Sequence, residues 1–481
     1  MVKNTETTTI AVNEQTIYRI GTLEYTKRGL FMLFAYLLWG DFCFTLMESV
    51  FPMITPLTMN NLGSSDLLIG LVMTTIPNMF NAVVCPWVSF KSDRHRSKMG
   101  RRIPFLLYPT PFVSLFLILI GLAPDIGRFM SSTIMHTTGW SQTAIILGLI
   151  AVFSAGFQYF NMFVGSVYYY LFNDVVPEQF LGRFMAAFRL VGTLAGAVFN
   201  FFVFRYAETH MKWIFIGAGV LYFIAFMQMS LKVKEGEYPP PPEYVDGKQG
   251  LFSGLKTYFM ECFSNKFYWY YFLATTAWDL TLCIRPFDLL LQRQTLGLEP
   301  SQIGVILGIG QIVTALLIVP AGFLSDKRHP LRTTLYAILG LVFLTPTRLV
   351  YLFHKFDPAT VFWVELSLQT LLVPLLAIYI VSSLPMCMRI LPAERYGQFC
   401  SAQAMFRSGA NILFGMLAGG FMILMKHISV KHGAPANYYY GFAPLWTWTL
   451  QIVSMFLTYK LYKSWKEHGG DEHYVPPPVG R

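Results

Sequence analysis

Twelve apolar runs, most of them about 20 residues long, punctuate this chain. That is the length an α-helix needs to cross roughly 30 Å of hydrocarbon. The clearest pair, 67–90 and 103–122, brackets the stretch KSDRHRSKMGRR at 91–102. Between two spans such a stretch is a tight loop. Its Lys91, Arg94, Arg96, Lys98, Arg101 and Arg102 place it on the cytoplasmic side, because short loops with this bias stay there. The other spans are read at 29–53, at 141–172, around Arg189, and at 213–231, 267–291, 302–325, 333–353, 359–385, 398–425 and 444–463.

This pattern divides the chain into a cytoplasmic tail (1–28), a six-helix half (29–232), a linker (233–266), a second six-helix half (267–463) and a second cytoplasmic tail (464–481). The linker holds Pro239 to Pro242, which favour a stiff polyproline spacer and cannot cross a membrane. The tail 1–28 is polar and has no apolar core of its own. The predicted class is therefore an all-α membrane protein in the plasma or inner membrane, embedded in lipid and working as a monomer. A net charge of +10 would suggest nucleic acid in a soluble protein, but with 54% hydrophobic and 13% charged residues the cations sit in loops and tails, so that partner is excluded. The six cysteines show no metal-ligand spacing, and no phosphate loop or nucleophile–base pair is present. No cofactor, metal or enzymatic activity is expected.

Internal echoes show that the second half repeats the first. LTMNNLGSSDLLIGLV (57–72) matches RQTLGLEPSQIGVIL (293–307), SDR (92–94) matches SDKR (325–328), and VPEQFLGRF (176–184) matches LPAERYGQF (391–399). Duplicated halves of this kind mark transporters.

Ionisable groups inside spans are costly and are functional candidates by default. Asp41 and Glu48 are seven apart and share one face of the first span. Gln158 and Asn161 share a face of the fourth, as suits either helix–helix hydrogen bonds or ligand hydroxyls. Arg189 stands alone in the fifth span beside Gly192 and Gly196 and needs an acidic or hydroxylated partner. In the seventh, Asp279 is a cavity candidate, while Arg285 and Asp288 have the spacing to neutralise each other. Glu365 and Gln369 in the tenth carry a weaker signal. Tyr168, Tyr169 and Tyr170 read as an interfacial belt.

The loop pattern D-R-x-R-S-x-x-G-R-R-x-P-F, with Gly100 at the turn and Pro104 opening the next helix, resembles the loop between helices 2 and 3 of the major facilitator superfamily. Within it, the glycoside-pentoside-hexuronide:cation symporters and the sucrose:proton symporters are most similar, although Ser89 stands where that family usually has Gly. The resemblance implies the major facilitator fold, with twelve helices in two pseudo-symmetric halves that rock about a substrate near the membrane midplane. It implies that Asp41, within Trp39-Gly40-Asp41-Phe42, binds sugar hydroxyls and that Arg189 completes the sugar site. Trp39 and Trp278 offer flat faces to a sugar ring. Asp93, Arg94, Arg96, Gly100, Arg101 and Arg102, with Asp326, Lys327 and Arg328 of the second copy, are expected to form the cytoplasmic gate. Where the family carries cation-binding carboxylates, this chain has Asn81, Cys85 and Asn161. Two amides and a thiol do not supply the hard oxygen ligands of a sodium site. The expected function is proton-coupled symport of a sugar or glycoside by alternating access. A carrier of another small solute or a lysolipid and a non-transporting sugar sensor are the competing readings.

Overall fold

The computed structural model describes residues 11–12, 15–133, 140–238, 262–392, 396–435 and 437–478. Among them twelve helical runs follow one another: α1 (Lys27–Asn61), α2 (Asp66–Arg94), α3 (Ile103–Thr133), α4 (Gln142–Val175), α5 (Glu178–Tyr206), α6 (Met211–Lys232), α7 (266–295), α8 (Pro300–Lys327), α9 (Pro330–Leu352), α10 (Pro358–Ile390), α11 (Tyr396–Lys431) and α12 (Ala443–Glu467). Ten are long and apolar enough to cross a membrane; the other two are α7, which is interrupted, and α12. The proline run of the linker and residues 393–395 lie outside the described residues.

The helix starts follow local rules. Ser65, Ser141, Asn265 and Asp357 each stand just before a helix and accept a backbone N–H from its first turn. Hydrogen bonding to the Thr360 side chain and N–H, the largest effects, holds the exposed Asp357 carboxyl below its ordinary value. Glu299 and Gln302 form a reciprocal capping box ahead of Pro300.

Within the N-terminal segment, expected as a tail, residues 15–26 fold into a hairpin. Strands β1 (Gln15–Ile20) and β2 (Leu23–Thr26) pair antiparallel around a two-residue turn in which Gly21 takes φ 54°. Polar side chains do not prevent this, because the hairpin borrows a core: Tyr18 sets its ring edge-on to Phe180 at 4.9 Å. Thr22 Oγ1 accepts the Glu237 N–H at 2.8 Å.

Contacts gather the chain into two compact units. The first comprises Met1–Thr55, Val83–Phe199 and Tyr206–Tyr244, and its core is aromatic. Phe44, Tyr168, Phe172, Tyr222 and Phe226 pack together with ring centroids 4.6–6.4 Å apart. Tyr168 is thus buried rather than part of a belt, and its hydroxyl donates to the Leu37 carbonyl at 2.7 Å. Tyr169 and Tyr170 remain exposed.

The second unit comprises Pro56–Ala82, Asn200–Arg205 and Val245–Arg481. Within it α2 and α11 meet along a glycine seam. A Cβ on Gly70 would lie 2.7 Å from the Gly415 carbonyl oxygen, and one on Gly419 would lie 2.7 Å from that of Asp66. Only glycine admits that approach.

Helix α7 owes its break to Pro286, which has no N–H to give the preceding turn; residues 281–284 tighten into a 3₁₀ turn and 291–295 widen into a π turn. In α9, Pro346 begins a 3₁₀ stretch from 345 to 352. Carbonyls released by such breaks cannot turn to water inside a membrane. Two tryptophans of α12 reach carbonyls beside these breaks: Trp448 Nε1 donates to Val342 O, four residues before Pro346, at 2.9 Å, and Trp446 Nε1 to Leu280 O, which opens the 3₁₀ turn, at 3.0 Å.

Candidate functional site

In the first unit, Asp41 follows Gly40, where a Cβ would collide with Met229 Sδ at 2.7 Å. That close fit presses α1 into the bundle, and Asp41 is only 2% exposed. Its carboxylate lies against the glycine face of α5, since a Cβ on Gly192 would sit 3.5 Å from Asp41 Oδ2. Arg189, one turn earlier on α5, acts on Asp41 through its charge. Two turns along α1, Glu48 accepts a 2.5 Å hydrogen bond from Asn161 Nδ2 on α4. Tyr169 is within electrostatic reach of Asp41, Arg189 and Glu48.

Asp41, Glu48, Asn161 and Arg189 therefore lie in one unit, with Asp41 against α5 and Glu48 bonded to α4. Asp41 Oδ2 and Asn161 Oδ1 are buried acceptors without a hydrogen bond among the described residues. Buried acceptors of this kind need a donor. Gln158 is buried one turn before Asn161. Trp39 is 40% exposed and stacks in parallel on Phe42 at 6.0 Å.

In the second unit, Asp279 pairs with Arg407 of α11 at 3.5 Å, a partner that sequence spacing did not indicate. The rungs on either side are polar too. Gln403 donates to Thr275 Oγ1 at 3.1 Å, and Cys283 lies 3.6 Å from Asn411 Oδ1. Trp278 lies flat on Tyr379, with ring centroids 3.7 Å apart, which occupies one face of the ring.

Asp288 has its ion pair with Arg348, at 3.2 Å, where sequence spacing suggested Arg285. The same arginine reaches the fully buried Glu365 at 3.1 Å. Glu365 also accepts from Gln292, Gln369 and Tyr351 at 2.7–3.0 Å. This network, in which Glu365 has four partners while Arg348 Nε has none among the described residues, ties α7 to α9 and α10, which accounts for a carboxylate that sequence reasoning ranked low.

The basic loop forms a closed network inside the first unit. Arg101 forks onto Asp174 at the end of α4, with Nε at 3.0 Å from Oδ2 and Nη2 at 2.5 Å from Oδ1. Arg102 bridges Asp174 Oδ2 at 3.2 Å and Asp93 Oδ1 at 2.5 Å. Arg96 donates to the carbonyls of Asp93 and His95. Gly100 turns the chain at φ 102°. Burial opposes the Arg101 charge, but the hydrogen bonds and charge of Asp174 outweigh it and hold the guanidinium above its ordinary value. Arg94 extends from the last turn of α2. Of the second copy, Lys327 ends α8 and Arg328 follows it, both exposed; Asp326 lies in the same last turn.

Sequence comparison adds the family. The profile of the Major Facilitator Superfamily matches residues 168–416. A sucrose transport protein of rice, SUT5 (Oryza sativa subsp. indica), is 39% identical over 59 residues, a stretch that spans 12% of this chain and 11% of that protein. Among solved structures, a bacterial homologue of the human lysosomal transporter Spinster shares the fold with a TM-score of 0.64 at 14% identity, over 91% of this chain and 99% of that one. The D-xylose–proton symporter gives 0.62 at 12% identity over 90% and 97%, and the nucleoside transporter NupG 0.55 at 13% over 90% and 99%. With its apolar helices, its duplicated loops and a profile match across more than half its length, this chain is a multi-pass membrane transport protein that belongs to the Major Facilitator Superfamily.

Proposed function

We propose that this protein is a proton-coupled symporter of a sugar or glycoside. The observation that carries the reading is the cluster of Asp41, Glu48, Asn161 and Arg189 on α1, α4 and α5, with a carboxylate oxygen and an amide oxygen left as buried acceptors. Sugar hydroxyls donate to such acceptors in the plane of a ring, and Arg189 supplies donors beside them. Trp39 offers an exposed apolar ring face.

Asp41 and Glu48 are the groups able to take up and release a proton. The residues at the family's cation positions, Asn81, Cys85 and Asn161, argue against sodium by their chemistry: none carries a charge to balance the ion, and a thiol is a poor ligand for a hard cation. The short similarity to a sucrose transport protein and the shared fold of a D-xylose–proton symporter support the substrate class. Alternating access then follows from the duplicated halves.

The test is uptake of radiolabelled disaccharides and glycosides into proteoliposomes under an imposed pH or sodium gradient, with wild type and Asp41→Asn. Uptake driven by the pH gradient and abolished by Asp41→Asn is expected. Uptake driven by sodium alone overturns the proton reading, and binding without uptake under either gradient overturns symport.

A further inference from the structure

The segments that leave the two six-helix bundles resemble each other. Three residues beyond α6 the chain reads EGEYPPPP at 235–242; four beyond α12 it reads DEHYVPPP at 471–478. In both, a carboxylate is followed at the third position by tyrosine and then by a proline run.

The first pair of residues grips the basic loop. Glu235 accepts the backbone N–H groups of Arg101, Arg102 and Ile103 at 3.0, 2.8 and 2.6 Å, which satisfies the open start of α3. Tyr238 donates to Glu235 Oε2 at 2.8 Å and lies over the Arg101 guanidinium at 4.2 Å. Arg101 in turn forks onto Asp174 at the end of α4.

The second pair does the same work in the other unit by different bonds. Asp471 pairs at 2.6 Å with Arg332 in the first turn of α9, the third helix of its half. The Tyr474 hydroxyl donates to the Ile390 carbonyl at the end of α10, the fourth helix, at 2.7 Å. Pro477 is buried, and its carbonyl accepts from Tyr268 at 2.8 Å. In each unit the carboxylate meets the start of the third helix, and the tyrosine reaches the end of the fourth, directly or through Arg101.

We infer that 235–238 and 471–478 are duplicated clasps, and that the start of the third helix with the end of the fourth is a docking surface in each half whose partner is the chain's own exit segment. The carboxylate-x-x-tyrosine spacing is the recognition element. Each clasp fixes the loop region of its own half.

Amide hydrogen exchange of the full-length protein in detergent tests this. Glu235→Gln should raise exchange at residues 101–103 at least tenfold while leaving the first turn of α9 unchanged, and Asp471→Asn should do the reverse. A chimera in which 471–478 is replaced by the sequence of 235–242 should keep the protection of α9, whereas truncation after Gly469 should lose it. Unchanged exchange at 101–103 in Glu235→Gln overturns the docking. A chimera as exposed as the truncation overturns the duplication.

Discussion

The Asn161 amide donates to Glu48 Oε1 at 2.5 Å, joining the centre of α4 to α1. A hydrogen bond to a charged group is worth about 1.5–3 kcal/mol. Asn161→Leu should therefore lower initial uptake roughly tenfold or more, with normal yield of folded protein. In a double-mutant cycle with Glu48→Gln, the two losses should fall well short of additive. Additive losses in transport assays would show that the pair does not act as a unit.

Asp174 serves two arginines at once. Asp174→Asn keeps the shape but removes the charge both forks need, leaving two partly buried guanidinium groups with a weak acceptor. The expected result is a fall in melting temperature of roughly 2–5 °C, from a loss of about 2 kcal/mol. Thermal unfolding followed by tryptophan fluorescence reads it, and Asp174→Glu should recover part of the loss.

Trp448→Phe keeps an aromatic ring but deletes the N–H that reaches the Val342 carbonyl together with one of the two fused rings, so the lost bond and a small cavity add. A buried carbonyl left without a donor costs about 1–3 kcal/mol. Trp446→Phe should cost less at Leu280, whose carbonyl also opens the 3₁₀ turn, and the two substitutions together should destabilise more than either alone in a denaturant titration.

His329 gives a pH signature. Burial, aided by the charges of Arg389 and Arg332 against that of Asp471, pushes its imidazole from 6.5 down to about 4. Above pH 6.5 both folded and unfolded forms are neutral. Between 6.5 and about 4 the unfolded chain takes up a proton that the folded protein refuses, so stability falls as pH drops through that window. His329→Gln should flatten the melting-temperature profile there, and an unchanged slope would assign the effect elsewhere.

The spans, the duplication and the basic loop were legible in the sequence because apolar length, repeated motifs and cation bias are local signals. Asp41, Glu48, Asn161 and Arg189 stood out because a polar residue in a membrane helix is conspicuous. Their meeting in one unit depended on helix packing, which glycines 40 and 192 set and no spacing rule reports. Partners were the weak point. Arg348 and Glu365 are 17 residues apart on different helices, and Arg407 lies far along the chain from Asp279. Glu235 looked like one charge in a polar linker, and the hairpin at 15–26 looked like a tail because its core lies on α5. The Tyr-Pro echo of 235–242 and 471–478 was the one readable signal that went unused.

The hairpin also imposes an order on biosynthesis. The bond from Glu237 to Thr22 closes a separation of 215 residues. At 5–20 residues per second, the strand waits roughly 10–40 s for its partner to be made. By then all six helices of the first half have been translated, so the hairpin is among the last parts of that half to settle. Its docking marks the completion of that half, and a fusion placed ahead of the hairpin competes with assembly at that stage rather than at membrane insertion.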